Sequence, residues 1–63
     1  MKKIVLIDVL NSKVHVFKYN ENVWEDAEQF LFDNEEIEHL NLSPSNVEWQ
    51  EFNSDEEIEI IIH

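Results

Sequence analysis

The chain contains no cysteine, no glycine and no arginine, and only one proline. Without cysteine there can be no disulfide and no thiolate metal site. That absence suits a reducing compartment. Without glycine there is no oxyanion loop, and no strained nucleophile elbow surrounds any serine. No cofactor motif is present either. The chain therefore reads as a non-enzyme with no cofactor. Long apolar runs are missing too. Met1-Lys2-Lys3 followed by Ile4–Ile7 resembles the start of a signal segment, but Asp8 interrupts it and no small-residue cleavage site follows. Nothing approaches the roughly 20 apolar residues of a membrane span. The cytoplasm is the expected compartment, or the host cytoplasm for a phage-encoded chain.

Positive charge is scarce and confined. All four lysines (Lys2, Lys3, Lys13, Lys18) lie in the first eighteen residues, beside one acid, Asp8. From Tyr19 onward there are fourteen acids and no lysine or arginine, and the net charge is −11. Binding DNA or RNA requires cations that displace phosphate counterions. This chain is built the other way. It should be repelled by nucleic acid and by anionic membranes, and attracted to basic protein surfaces.

What is present suits one small α+β domain spanning residues 1–63. A chain of this size buries only about 60% of its unfolded surface, so its stability margin is thin. Seven aromatic residues supply most of the core area. Lys3 to Val9 is a short aliphatic run that reads as a strand buried on both faces. Asn11-Ser12 forms a turn, with Asn11 able to take the left-handed conformation that glycine would otherwise supply. Lys13 to Tyr19 alternates, with Val14 and Val16 on one face and His15, Phe17 and Tyr19 on the other. Asn22 reads as a helix N-cap, with Glu25 three residues on. A helix follows from about Val23 to about Asp33, with Asn34 as C-cap. Its apolar stripe is Val23, Trp24, Ala27, Phe30 and Leu31. Ile37, Leu40 and Leu42 want burial, and Ser43–Asn46 is turn chemistry. Val47 to Phe52 alternates again, with Val47 and Trp49 sharing a face. After a turn at Asn53–Glu56, Glu57 to Ile62 reads as a last strand with Ile58, Ile60 and Ile62 inward.

The order is hairpin, helix, hairpin: a ββαββ arrangement with a four-stranded mixed sheet. The two most apolar strands, first and last, should be central parallel neighbours, giving the order 2-1-4-3 with the helix across one face. This layout, with the acid-Trp pair Glu48-Trp49 opening the second hairpin, resembles the β-grasp folds, in particular the immunoglobulin-binding domains of protein G. The resemblance implies a fold and no function.

Glu35, Glu36 and His39 have a spacing that would put two metal ligands on one face of a helix. A third ligand is missing, and Asn53–Glu57 lacks calcium-loop spacing. No metal site is assigned. Phe32 falls opposite the helix stripe, among Glu25, Glu28, Glu35 and Glu36. An exposed aromatic in a polar rim is the form of an interface hot spot. The alternative is that the helix ends early and Phe32 folds under Leu40 or Leu42. Further acids on the helix (Asp26, Asp33) and on the second hairpin (Glu48, Glu51, Asp55, Glu56, Glu57) extend the candidate partner surface.

In size, charge and lack of catalytic residues the chain resembles small acidic phage inhibitors, among them anti-CRISPR proteins and DNA mimics. A composition rich in Asn, Ile and Glu and poor in Gly, Arg, Ala and Pro suits AT-rich coding, as in a low-GC bacterium or its phage. The resemblance implies an inhibitor that occupies the basic surface of a nucleic-acid-binding enzyme or effector. The alternatives are a generic β-grasp interaction module, an antitoxin, or a small structural homodimer.

Overall fold

A computed structural model describes Met1–His63. Its elements are β1 (Lys2–Asp8), β2 (Lys13–Tyr19), α1 (Ala27–Phe32), a 3₁₀ helix (Glu35–Leu40) and β3 (Val47–Asn53). The sheet has three strands in the order β2-β1-β3, and both pairings are antiparallel. Lys2 lies between Tyr19 and Asn53, and Asp8 lies between Lys13 and Val47.

This overturns the four-stranded 2-1-4-3 sheet and the β-grasp layout. Glu57–Ile62 forms no strand, and Ile60, Ile61 and Ile62 are exposed. The place beside β1 belongs to β3. Two features of β3 explain the choice. Trp49 sits opposite Leu6 on the covered face, where it adds aromatic area that the isoleucine segment cannot. Glu51 accepts a hydrogen bond from the Tyr19 hydroxyl across the width of the sheet. The pairing with β1 is also antiparallel, the slightly more stable kind per residue.

Since β2 and β3 both oppose β1, they run parallel to each other. The connection from Asn20 to Asn46 must therefore return along the full strand length, and it carries α1 and the 3₁₀ helix over one face of the sheet. That face holds the core: Ile4, Leu6, Tyr19 and Val47 from the strands, and Ala27, Phe30 and Leu31 from α1. Phe30 is its centre. Its ring stacks on Tyr19 at 5.4 Å and meets Phe17 and Trp24 edge-on at 5.8 and 5.7 Å. Only nine residues are buried, which makes this a thin, two-layer core.

Three local expectations are corrected. The helix has six residues rather than about eleven. Asn20 takes the Asn22–Trp24 turn instead, accepting from the N–H groups of Asn22, Val23 and Trp24, and leaves Val23 exposed. Asp26 is the N-cap, accepting from the Gln29 N–H at 2.9 Å, while Gln29 Oε1 accepts from the Glu25 N–H at 2.7 Å. This is a capping box displaced four residues from the expected one, its return bond landing one residue early. Asn34 caps the 3₁₀ helix rather than α1, accepting from the Glu36 N–H. In the first turn Ser12, not Asn11, is left-handed at φ 55°. Asn11 is engaged otherwise: its backbone N–H and side-chain amide both donate to the Asp8 carboxylate, at 3.2 and 2.9 Å.

Finally, β1 is covered on one face only. Ile4, Leu6 and Asp8 are buried, whereas Ile7 is 48% exposed.

Candidate protein-binding surface

Phe32 closes α1, where the chain turns through Asp33 and Asn34 into the 3₁₀ helix. The ring is half-buried. Part of it packs against the core. The rest lines two clefts. One, of about 490 Å³, has Leu31, Phe32, Ile37 and Leu42 as its apolar part and the exposed carboxylates of Asp33, Glu35 and Glu38 among its polar lining. The other, of about 280 Å³, is lined by Phe32 with Glu25, Asp26, Glu28 and Asp33. The helix does end early, and Phe32 and Leu42 line the same cleft. The ring is thus both a core contact and the shared wall of two acidic clefts.

The other candidate acids fall elsewhere. Glu36 is exposed but lines neither cleft. Glu48 lies on the uncovered face of the sheet, beside Ile7. Glu51 points to the covered face and is held by Tyr19. Asp55, Glu56 and Glu57 follow β3, where Glu56 closes a turn on Asn53. Glu38 and Ile37 also line the site. Three-residue periodicity in the 3₁₀ helix puts Glu35 and Glu38 on the same side. The same periodicity separates Glu35 from His39 by about a third of a turn, and no three potential ligands gather anywhere in the chain.

The electrostatics of the surface follow from the placement of the lysines. All four lie on β1 and β2. Lys2 and Lys3 donate to the Asn53 side chain and the Glu56 carbonyl at 3.0 and 2.7 Å, not to carboxylates. The one ion pair joins the N-terminal amine to Glu21 at 3.1 Å. Its pKa is held below the usual carboxylate range, first by a backbone N–H bond and then by that amine. Asp8 is also held low, chiefly by the Asn11 side chain. Tyr19 moves the other way. Burial, and then the Glu51 carboxylate on its hydroxyl, push it up to about 12.

The arrangement offers no nucleophile–base pair and no ligand cage. It offers clefts that share the Phe32 ring and are edged by carboxylates with no cation within ion-pair distance. Comparison with protein-family models, curated proteins and solved structures finds no match. No helix is long and apolar enough to cross a membrane.

Proposed function

We propose that this chain is an acidic protein-binding domain of the cytoplasm. It seats the surface around Phe32 on a basic, nucleic-acid-binding face of another protein and thereby blocks that face. The observation that carries this reading is the pair of clefts sharing Phe32, edged by Glu25, Asp26, Glu28, Asp33, Glu35 and Glu38, none of which pairs with a cation. A lysine- or arginine-rich surface would supply the missing cations, and an apolar or aliphatic side chain would fill the cleft floor. Such a binder acts in the manner of the small acidic phage inhibitors that the sequence resembles.

The test is capture from a low-GC bacterial lysate at low and physiological salt, followed by competition with duplex or single-stranded nucleic acid. Charge-driven binding weakens with ionic strength. Phe32→Ala should weaken capture of the identified partner by about 2 kcal/mol or more, the usual hot-spot threshold. Because the ring also touches the core, this variant should lose some stability too, so binding must be compared at temperatures where both forms are folded. Partners that are acidic, or whose binding is indifferent to salt and to nucleic acid, would refute the reading.

A further inference from the structure

The face of the sheet opposite the helix has no covering layer. Across β2, β1 and β3 it presents three rows: Val14, Ile7, Glu48; Val16, Val5, Gln50; and Lys18, Lys3, Phe52. Ile7, Val14 and Val16 are 48, 56 and 53% exposed, and Val5 and Phe52 are half-buried. Beside them runs the isoleucine segment after β3. Ile58 leans into an apolar recess with Val5, Ile7 and Phe52, while Ile60 to Ile62 stand in water.

We infer that this face is a homodimer interface, and that its occupant is the same face of a second copy. The first argument is area. The chain exposes 4956 Å². A compact monomer of 7.6 kDa should expose roughly 4300 Å². The excess of roughly 650 Å² approaches the ~800 Å² that each partner contributes to a standard interface. The molecule measures 16 Å along its shortest axis, about the thickness of one sheet under one partial helical layer. A second sheet packed about 10 Å away would complete a buried core.

The second argument is charge. A molecule of net charge −11 should resist self-association. The nine positions of this face carry Lys3, Lys18 and Glu48, a net charge of +1. The strands thus put two of the four lysines and a single acid on this face, and the further acids near it belong to the segment after β3 that runs beside Ile58. Moreover, Lys18 and Glu48 occupy opposite corners of the grid. An isologous contact brings one patch against itself. A two-fold axis lying in the interface, perpendicular to the diagonal through these corners, places each Glu48 over Lys18 of the second copy. The strands then cross at a steep angle, as in orthogonally packed sheets. The acidic clefts point outward on both sides, so the interface leaves the partner surface free and makes the assembly bivalent.

Sedimentation equilibrium from low micromolar to near-millimolar protein tests this without any partner. The expected result is a mass of twice 7.6 kDa at the upper concentrations, with a thermal midpoint that rises with protein concentration. Val16→Asp, at an exposed position, should raise the dimer dissociation constant at least tenfold while leaving the circular dichroism of the monomer unchanged. Lys18→Glu and Glu48→Lys should each weaken the dimer several-fold, and the double exchange should restore it. A wild-type chain that stays monomeric throughout overturns the proposal. Protected amides at Ile60–Ile62 in that monomer would show that its own segment covers the face. Their absence would leave the face to a foreign protein. A dimer indifferent to all three substitutions overturns it equally. The substituted residues lie away from Phe32, so a failed dimer and a failed basic-surface contact give separate results.

Discussion

Tyr19 shows how one residue joins both sides of the fold. Its ring stacks on Phe30 beneath the helix, and its hydroxyl reaches across β1 to Glu51 on β3. Burial disfavours the phenolate, and a carboxylate on the same hydroxyl disfavours it further. A folded pKa above the unfolded one means that the native state holds the proton more tightly. Stability from this group is therefore complete below the unfolded value near pH 10 and declines as pH rises toward about 12. Full loss amounts to roughly 2–3 kcal/mol, a large share for a core this thin. Tyr19 is the only tyrosine, so absorbance at alkaline pH reports it alone. The expected trace is one ionisation close to 12, or one earlier ionisation coincident with loss of circular dichroism. A reversible titration near 10 in the folded protein would remove both the burial and the Glu51 contact. Tyr19→Phe should cost about 1–3 kcal/mol, because it leaves a half-buried carboxylate short of its donor.

At the scale of elements, face alternation was legible and partnership was not. The faces of Lys13–Tyr19 follow from period-two patterning, and so does the shared face of Val47 and Trp49. Such patterning says which side chains point together but not which strand lies next door. Hydrophobicity alone therefore favours the isoleucine run for a central place. The place beside the central strand β1 goes instead to the segment that brings Trp49 and Glu51 to the covered face. The helix start is ambiguous in the sequence because two N-cap signals, Asn22 with Glu25 and Asp26 with Gln29, both have capping-box spacing. A competing turn around Asn20 decides between them, and that turn is a matter of side-chain geometry. The two-sided apolar pattern of Ile4–Ile7 did carry information. It describes a strand meant to be covered twice, although only the helical side is covered within one chain. As for the site, Phe32 and its neighbours on α1 could be found from helical spacing. Leu42 was open to the sequence only as a cover for Phe32, and the place of Ile37 and Glu38 beside it was not, because their segment is 3₁₀ rather than α. The cap makes a direct test. Asp26→Ala should lower stability by about 1 kcal/mol in urea unfolding. Asn22→Ala should cost less, since Asn22 contributes only a backbone donor to its turn. Equal effects, or the reverse order, would restore the longer helix.

The whole molecule separates its charge by face. The sheet holds every lysine, and the crossover holds seven acids between Glu25 and Glu38 with no cation near them. Folding therefore gathers carboxylates on one side of a body only 37 × 28 × 16 Å in extent. At 0.1 M salt the Debye length is about 10 Å, so neighbouring carboxylates still repel one another, and at lower salt distant ones do as well. The unfolded chain spreads the same charges further apart, and the native state bears the larger electrostatic cost. Added sodium chloride should accordingly raise the thermal midpoint between low and physiological ionic strength. Screening should also favour association through the nearly neutral sheet face, which adds to the rise at high protein concentration. The measurement belongs at pH 7. Asp8 and Glu21 have depressed native pKa values, so their stabilisation is present above the unfolded carboxylate range near pH 4 and lost as pH falls through the folded values. Replacing Glu28, Asp33, Glu35 and Glu38 together by their amides should flatten the salt dependence, because these residues are exposed and unpaired. A wild-type midpoint that is flat or falls with salt would mean that the carboxylates are held by attractive contacts within the fold. The clefts around Phe32 would then have no electrostatic demand for a basic partner.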